Sequence, residues 1–363
     1  MTDSNSSNYR PNPVMAWSPI DLCEKGWIPD WIARAGMRRL MQQRLNMEAT
    51  LGVEGMTERT RAMVASLRAS PIAIETQAAN AQHYEVPAPF FLKHLGPRLK
   101  YSCCWYPVGT ESLQRAEEAM LELYALRARI MDGQRILDLG CGWGSLSLWL
   151  AERFPNAQIV GLSNSQGQRE FIQARASERG IKNLKIVTGN VVEFDFVGEH
   201  SEAPFDRVVS IEMFEHMKNY SALFDKVARW LSPQGLLFVH IFAHRTLTYH
   251  FEDHGDDDWM TRYFFSGGTM PSEHLLLFFQ DKLRILDQWW VDGRHYEKTS
   301  NHWLEQLDAN RSECLQVLAT AYGDAEAEIW FQRWRMFYMA VAELFGFDEG
   351  REWGVAHYLF EKR

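Results

Sequence analysis

The stretch Ser210–Asn219, SIEMFEHMKN, sets Glu212, Glu215 and His216 within five positions, directly after the apolar pair Val208 and Val209. Two carboxylates held this close repel each other when both are ionised, so the arrangement needs a cation or a shared proton to compensate. At spacings i, i+3 and i+4 the three side chains would share one face of a helical turn. There they could attract an ammonium group, orient it and accept its proton. An alkylamine with a pKa near that of lysine, about 10.4, is neutral in roughly one molecule per thousand or fewer at pH 7, a handicap of about 4–5 kcal/mol for any reaction at its lone pair. The same residue types could ligate a metal, but no second ligand cluster at comparable spacing accompanies them, and no metal site is expected.

A second constellation, ILDLGCGWGSLSLWLA, places Gly140, Gly142 and Gly144 between an apolar strand pattern and a helical one. Glycines allow a tight turn and close backbone approach, and the helix start supplies unpaired N–H groups. The spacing is GxGxG rather than the GxGxxG of dinucleotide folds, and no lysine follows as in a phosphate-gripping loop. With Asp138 at the strand end, LDLGCGWG resembles the S-adenosylmethionine motif of Rossmann-like methyltransferases. In that motif the aspartate orients the turn and the methionine moiety passes over the glycines. The resemblance implies S-adenosylmethionine as cofactor, with Asp138, Gly140 and Gly142 against it. The next strand ends GLSNSQGQ, without the acidic residue that commonly takes ribose hydroxyls. Methyltransferases related to cyclopropane fatty acid synthases are similar in this respect, which implies that Asn164 and Gln168 hold ribose. Asn190 stands where an aspartate usually lies near adenine. Turn and cap formation is the plainer role open to all three.

Three further segments carry a narrower resemblance: YSCCWYP from 101, FEHM from 214 and TRYFFSGGTMPS from 261. Together they cover about residues 83–363, and the chain resembles the cyclopropane fatty acid synthase and coclaurine N-methyltransferase superfamily. IEMFEHMKNY, HFEDHGDDDWMTRYFFSGGTMPS and REW look most like the plant benzylisoquinoline N-methyltransferases, whereas HYEVPAPFF at 83 departs from the usual form. The likeness implies a Rossmann-like class I α/β methyltransferase with a mostly parallel seven-stranded sheet, an N-terminal helical region and an insertion capping the active site. It places Tyr101 and Ser102 on the cofactor. The expected reaction is N-methylation of a small cyclic or aromatic-bearing amine, with Glu212, Glu215 and His216 catalytic. Trp259, Trp334 and Phe337 could wall in a ring-bearing cation, and the acidic run Glu252, Asp253, Asp256, Asp257 and Asp258 could draw it in. The alternative is methyl transfer to an unsaturated lipid with bicarbonate as base, held by Cys103, Glu215, His240 and Tyr296. Against it stands Glu212, where the lipid enzymes typically carry a small residue, because a carboxylate in an acyl channel is costly to bury unpaired. A non-catalytic S-adenosylmethionine-binding protein would not need the complete acid–base set.

These residues need a scaffold, and the apolar periodicity supplies one. Residues 1–18 read as a disordered tail, 19–100 as a helical region and lid, and 101–363 as the methyltransferase domain with an insertion at about 245–280. Strand patterns RILDLG, QIVGLS, LKIVTG, DRVVSI, GLLFVHIFA, RILDQWWV and GVAHYLFEK alternate with helical patterns at 112–130, 144–154, 165–179, 219–231 and 299–345. Such alternation argues for a parallel sheet covered on both faces, with the ligand at the strands' carboxyl ends. The prolines at 87, 89 and 97 are expected to break the helical pattern. A net charge of −9 excludes a general nucleic-acid binder. No apolar run approaches a membrane span, and the basic helix DWIARAGMRRLMQQRLNMEATLG is expected to pack on its own domain, with membrane contact confined to the lipid alternative. Cysteines 23, 103, 104, 141 and 314 lack CxxC spacing, which suits a reducing cytoplasm. A homodimer is compatible with all of this.

Overall fold

The computed structural model describes residues 18–74, 86–198, 204–251 and 259–363. The tail read from the sequence lies almost wholly outside these residues, as does the acidic run Glu252–Asp258. Nine strands are described: Arg135–Leu139 (β1), Gln158–Ser163 (β2), Leu184–Thr188 (β3), Phe205–Ile211 (β4), Leu231–His244 (β5), Tyr249–His250 (β6), Thr269–Met270 (β7), Leu283–Val291 (β8) and Trp353–Lys362 (β9). Seven of them form one sheet in the order β3-β2-β1-β4-β5-β9-β8, while β6 and β7 pair separately. The pairs β3-β2, β2-β1, β1-β4 and β4-β5 are parallel; β9 runs antiparallel between β5 and β8. Val208, Val209, Leu237 and Phe238 are wholly buried, as expected for central strands covered on both faces.

The covering helices begin where the sequence carries caps. Leu113–Arg127 starts behind Ser112, Gln166–Glu178 behind Ser165 and Tyr220–Trp230 behind Asn219, each cap side chain accepting a first-turn N–H. In chain order the helices are Pro19–Glu24 (α1), Asp30–Ala49 (α2), Gly52–Ala69 (α3), Ala88–His94 (α4), Leu113–Arg127 (α5), Ser145–Arg153 (α6), Gln166–Glu178 (α7), Tyr220–Trp230 (α8), Trp259–Tyr263 (α9), Arg294–Ala309 (α10), Arg311–Tyr322 (α11) and Asp324–Gly346 (α12). The prolines near 90 do not break a helix. Pro87 is the N-cap of α4 and Pro89 sits in its first turn, where a missing N–H costs nothing.

The basic helix α2 lies on α12. Arg34 donates to Glu343 at 2.8 Å, Arg38 pairs with the same carboxylate, and Arg335 reaches back to Asp30 at 2.7 Å. Those pairs fix the helix phase, so Ala33 is buried and Met37, Met41 and Leu45 are half-buried against the core. Trp31 and Leu40, apolar positions in the sequence pattern, point outward at 71% and 48% exposure. Among the described residues no helix is long and apolar enough to cross a membrane.

Chain order along the sheet reverses between β1 and β4, and a crevice opens at such a point beyond the strands' carboxyl ends. Gly140 follows β1 there and Glu212 follows β4. The insertion is tied beneath this point by the buried Lys218, whose Nζ donates to Thr269 Oγ1 at 2.8 Å. The turn between β1 and α6 ends in Gly144 at φ 81°, and a Cβ there would lie 2.7 Å from Ile172 Cγ1. Gly144→Ala is therefore expected to cost about 2–4 kcal/mol, combining left-handed backbone strain with overpacking. Gly133→Ala, at φ 84° with nothing within 4 Å, should cost only the conformational part, about 1–2 kcal/mol. Urea unfolding midpoints of the two variants measure the difference, and equal midpoints would refute it.

Candidate active site

Two cavities meet at the reversal point. The larger, of about 190 Å³, and the smaller, of about 70 Å³, share Gly140, Gly142, Gln168 and His216 in their walls. Gly140 and Gly142 hold φ values of 87° and 51°, and a Cβ on Gly140 would meet Met213 Cγ at 2.8 Å. Gly140 and Cys141 both donate their N–H to Leu162 O at 3.0 Å, which locks the turn onto the end of β2. Asp138, buried at the end of β1, accepts from Ser147 Oγ at 2.6 Å. Burial pushes its carboxyl up to about 6, with Ser147 pulling the other way.

Around the smaller cavity stand Asn164, Gln168 and Asn190. Gln168 is buried; its Oε1 accepts from Ser163 Oγ at 2.7 Å and its Nε2 has no partner among the described residues. A buried amide donor left over beside a cavity fits a ligand rich in acceptors, such as ribose hydroxyls. Asn190 uses its side-chain oxygen to accept from Val192 N at 3.0 Å, so part of its capacity is spent on the turn. Ser165, rather than Asn164, caps α7. The bent glycine turn and the spare Gln168 donor suit S-adenosylmethionine, whose amino-acid part would lie along Gly140 and Gly142 and whose ribose would face Gln168.

The larger cavity receives Tyr101, Ser102, Asp138, Glu212 and His216. The three chemical residues of SIEMFEHMKN do not share a helical face. Glu212 has φ 47°, Met213 departs from helical geometry at φ −120°, and only Phe214–His216 form a single 3-10 turn. This left-handed conformation at a non-glycine residue is strained, and it turns Glu212 out of the helical phase. As a result Glu212 and His216 line the cavity while Glu215 does not; Glu215 lies wholly buried behind them.

Four groups hold the Glu212 segment. Its N–H donates to His240 O at 2.9 Å. Its Oε1 accepts from Cys103 N at 3.1 Å and faces His240 Nε2 at 3.0 Å, and its Oε2 accepts from Tyr296 OH at 2.7 Å. Of the four residues that the sequence reading grouped as a bicarbonate cage, Cys103, His240 and Tyr296 converge on the Glu212 carboxylate, and Glu215 does not join them. Cys103 contributes its backbone N–H, while burial holds its thiol well above the ordinary range. Burial also raises the Glu212 carboxyl, against which Lys100, the Cys103 N–H and Tyr296 pull downward. Glu215 has one oxygen accepting from Phe242 N at 3.2 Å and the other without a hydrogen-bond partner among the described residues. Burial and the adjacent Glu212 charge push it well above the carboxylate range, so Glu215 is the neutral member. Lys100, which the sequence reading passed over, donates to Ser102 Oγ at 2.5 Å and Cys103 O at 2.6 Å and lines the same cavity. Nothing local in PRLKYSCC marks this lysine as buried.

Of the three expected aromatic walls only Phe337 lines the cavity. Trp334 is fully buried, packed between Phe90 and Phe264, both 5.1 Å away between ring centres. Trp259 donates its indole N–H to Glu24 at 2.7 Å and belongs to the joint with α1. Phe242, Phe251, Phe265, Trp303 and Phe345 provide the walls instead. They come from β5, the insertion, α10 and α12, a convergence with no local signature.

Residues 73–348 match the family model described as mycolic acid cyclopropane synthetase. The chain is 36% identical to the (S)-coclaurine N-methyltransferase of Thalictrum flavum subsp. glaucum over 344 residues, 94% of each chain. It is 28% identical to the cyclopropane-fatty-acyl-phospholipid synthase of Escherichia coli (strain K12) over 253 residues, 67% of this chain and 62% of that one. A crystal structure of coclaurine N-methyltransferase bound to N-methylheliamine and S-adenosylhomocysteine superposes with a TM-score of 0.90 at 35% identity, covering 94% of this chain and 98% of that one.

Asp138 offers a test that needs no substrate. Burial holds its carboxyl at about 6 in the folded protein, above the 3.8 of a free aspartate, so the neutral form favours folding. That contribution is complete below pH 4 and is lost as pH rises through 6. Asp138→Asn, which keeps an acceptor for Ser147 and removes the buried charge, should raise the melting temperature at pH 8 and do so less at pH 4. A gain independent of pH, or none, would contradict the assignment.

Proposed function

We propose, since this chain belongs to the cyclopropane fatty acid synthase and coclaurine N-methyltransferase superfamily and is an S-adenosylmethionine-dependent methyltransferase, that it methylates the nitrogen of a small cyclic, aromatic-bearing amine. Benzylisoquinoline-like amines are the substrate class, as the names of the similar N-methyltransferases suggest. One observation carries this reading. The carboxylate of Glu212 sits among Cys103 N, His240 and Tyr296, the groups that the lipid-modifying relatives are expected to use for bicarbonate. A built-in carboxylate there makes a separate anionic base unnecessary and gives an ammonium substrate its counter-charge.

When bound, S-adenosylmethionine supplies a methyl group on a positively charged sulfur that departs as a neutral thioether. The protein's residues prepare the acceptor. The rings of Phe242, Phe265, Trp303 and Phe345 present π faces and edges to a ring-bearing cation in a largely apolar cavity. Glu212 attracts the ammonium and takes its proton on Oε2, which carries one donor where Oε1 carries two. Neutralising the amine offsets the handicap of about 4–5 kcal/mol that protonation imposes at pH 7. Glu215 stays neutral, so the nook holds one negative charge rather than two repelling ones. His216, tilted against the Phe265 ring with centres 4.8 Å apart, stands between the cofactor and substrate cavities and fixes the approach of the nitrogen. Alignment of nitrogen and methyl supplies much of the acceleration, as no other covalent chemistry is required. The chain's five cysteines are all free thiols, which fits work in the cytoplasm.

Glu212→Gln should lower turnover of a tetrahydroisoquinoline by about 100-fold or more while leaving the Kd for S-adenosylmethionine within about twofold. Retained turnover would remove Glu212 from the chemistry. Stripping bicarbonate from the buffer should leave amine methylation unchanged. Label transferred to unsaturated phospholipid vesicles only when bicarbonate is present would support the lipid alternative.

A further inference from the structure

Behind Glu212 a line of buried polar groups runs through the sheet, and the reaction as described makes no use of it. His240 on β5 and His357 on β9 are register partners, both wholly buried between the apolar neighbours Val239 and Ile241 on one strand and Val355, Ala356 and Leu359 on the other, with ring centres 4.8 Å apart. His357 Nε2 lies 2.8 Å from His240 Nδ1, and His240 Nε2 lies 3.0 Å from Glu212 Oε1. At the far end Arg127, the last residue of α5, reaches His357 Nδ1 at 2.6 Å and covers the Trp289 ring at 5.0 Å. Two imidazoles in such strands forgo apolar packing, and burial holds both neutral by pushing them well below the ordinary histidine range.

We propose that Arg127 and His357 are positioning residues for Glu212: Arg127 fixes a one-way line of hydrogen-bond donors through His357 and His240 that ends on the carboxylate. The reasoning starts from the arginine, which can only donate. His357 Nδ1 must therefore accept, so the proton of this neutral ring sits on Nε2 and points at His240. His240 Nδ1 accepts in turn, which places its own proton on Nε2, facing Glu212 Oε1. The Tyr124 hydroxyl, 2.9 Å from His240 Nδ1, competes for that lone pair but also has Ser102 beside it. With the opposite tautomers, His240 would set a lone pair against the carboxylate, and Glu212 would lose a donor in a place where burial already disfavours its charge. Every other neighbour of the line keeps its sense. Asp287 and Tyr124 face Arg127 and hold its charge, Lys100 disfavours a proton gain on either histidine, and Cys103 N, Tyr296 and Lys100 meet Glu212 from the other side. Glu215 adds no second charge while it is neutral.

The inference rests on Glu212 being the base, and two measurements separate the claims. Histidine ring ¹⁵N spectra of the wild-type protein without substrate, assigned by loss of signal in His240→Gln and His357→Gln, should show both rings as the Nε2–H tautomer. An Nδ1–H tautomer at either ring would overturn the proposal whatever the substrate. In kcat–pH profiles with a tetrahydroisoquinoline, Arg127→Met should move the acid limb up by about one pH unit, the scale of one donor lost from a buried carboxylate. The KM for S-adenosylmethionine should stay unchanged, and Arg127→Lys, which restores a donor, should return the limb towards the wild-type position. A kcat lowered equally at every pH in Arg127→Met would reduce Arg127 to a structural role and refute the inference.

Discussion

A single carboxylate surrounded by donors organises this active site. The Glu212 side chain is only 12% exposed, a place where an isolated charge would be costly, yet the Cys103 N–H, the Tyr296 hydroxyl and His240 converge on its two oxygens and Lys100 lies close by. Such satisfaction lets a buried group remain ionised, because each donor replaces a water that burial removed. The strained left-handed backbone at Glu212 is the local cost of aiming the side chain into that nest.

That nest also resolves the crowding of two glutamates. Neighbouring carboxylates of equal standing would share one proton and titrate together. Here the surroundings differ sharply. Glu212 collects donors, whereas Glu215, wholly buried, meets backbone N–H groups alone, its own and that of Phe242. The pair is split: Glu215 is pushed well above the carboxylate range, Glu212 is held down against burial by its donors, and the member with the donors is the one that lines the cavity.

The architecture makes this possible by bringing the ends of β1 and β4 together where the chain order reverses. The glycine turn after β1 can approach a ligand because its residues hold positive φ, and the turn after β4 presents Glu212 and His216 to the same space. The antiparallel partner β9 adds something a purely parallel sheet would not: it sets His357 against His240 and so extends the polar line from the cavity towards Arg127.

Much of this was legible in the amino-acid order. Short apolar runs between capped helical patterns defined the strands and their neighbours, since periodicity and capping are local properties of a few consecutive residues. The positions of Asp138, Gly140, Gly142 and Gly144 were readable for the same reason. The roles within the nest were not. Cys103, His240 and Tyr296 lie 109, 28 and 84 residues from Glu212, and their meeting depends on sheet register and on where α10 docks. Trp334 and Trp259 illustrate the opposite failure: an aromatic side chain carries no local mark telling core from cavity, and helix phase assigned one to the interior and the other to Glu24. Sequence alone thus determined which residues could do chemistry and on which elements they ride. Only the tertiary structure decided which glutamate receives the donors that favour its charge, because ionisation in an enclosed site depends on groups that distant segments deliver.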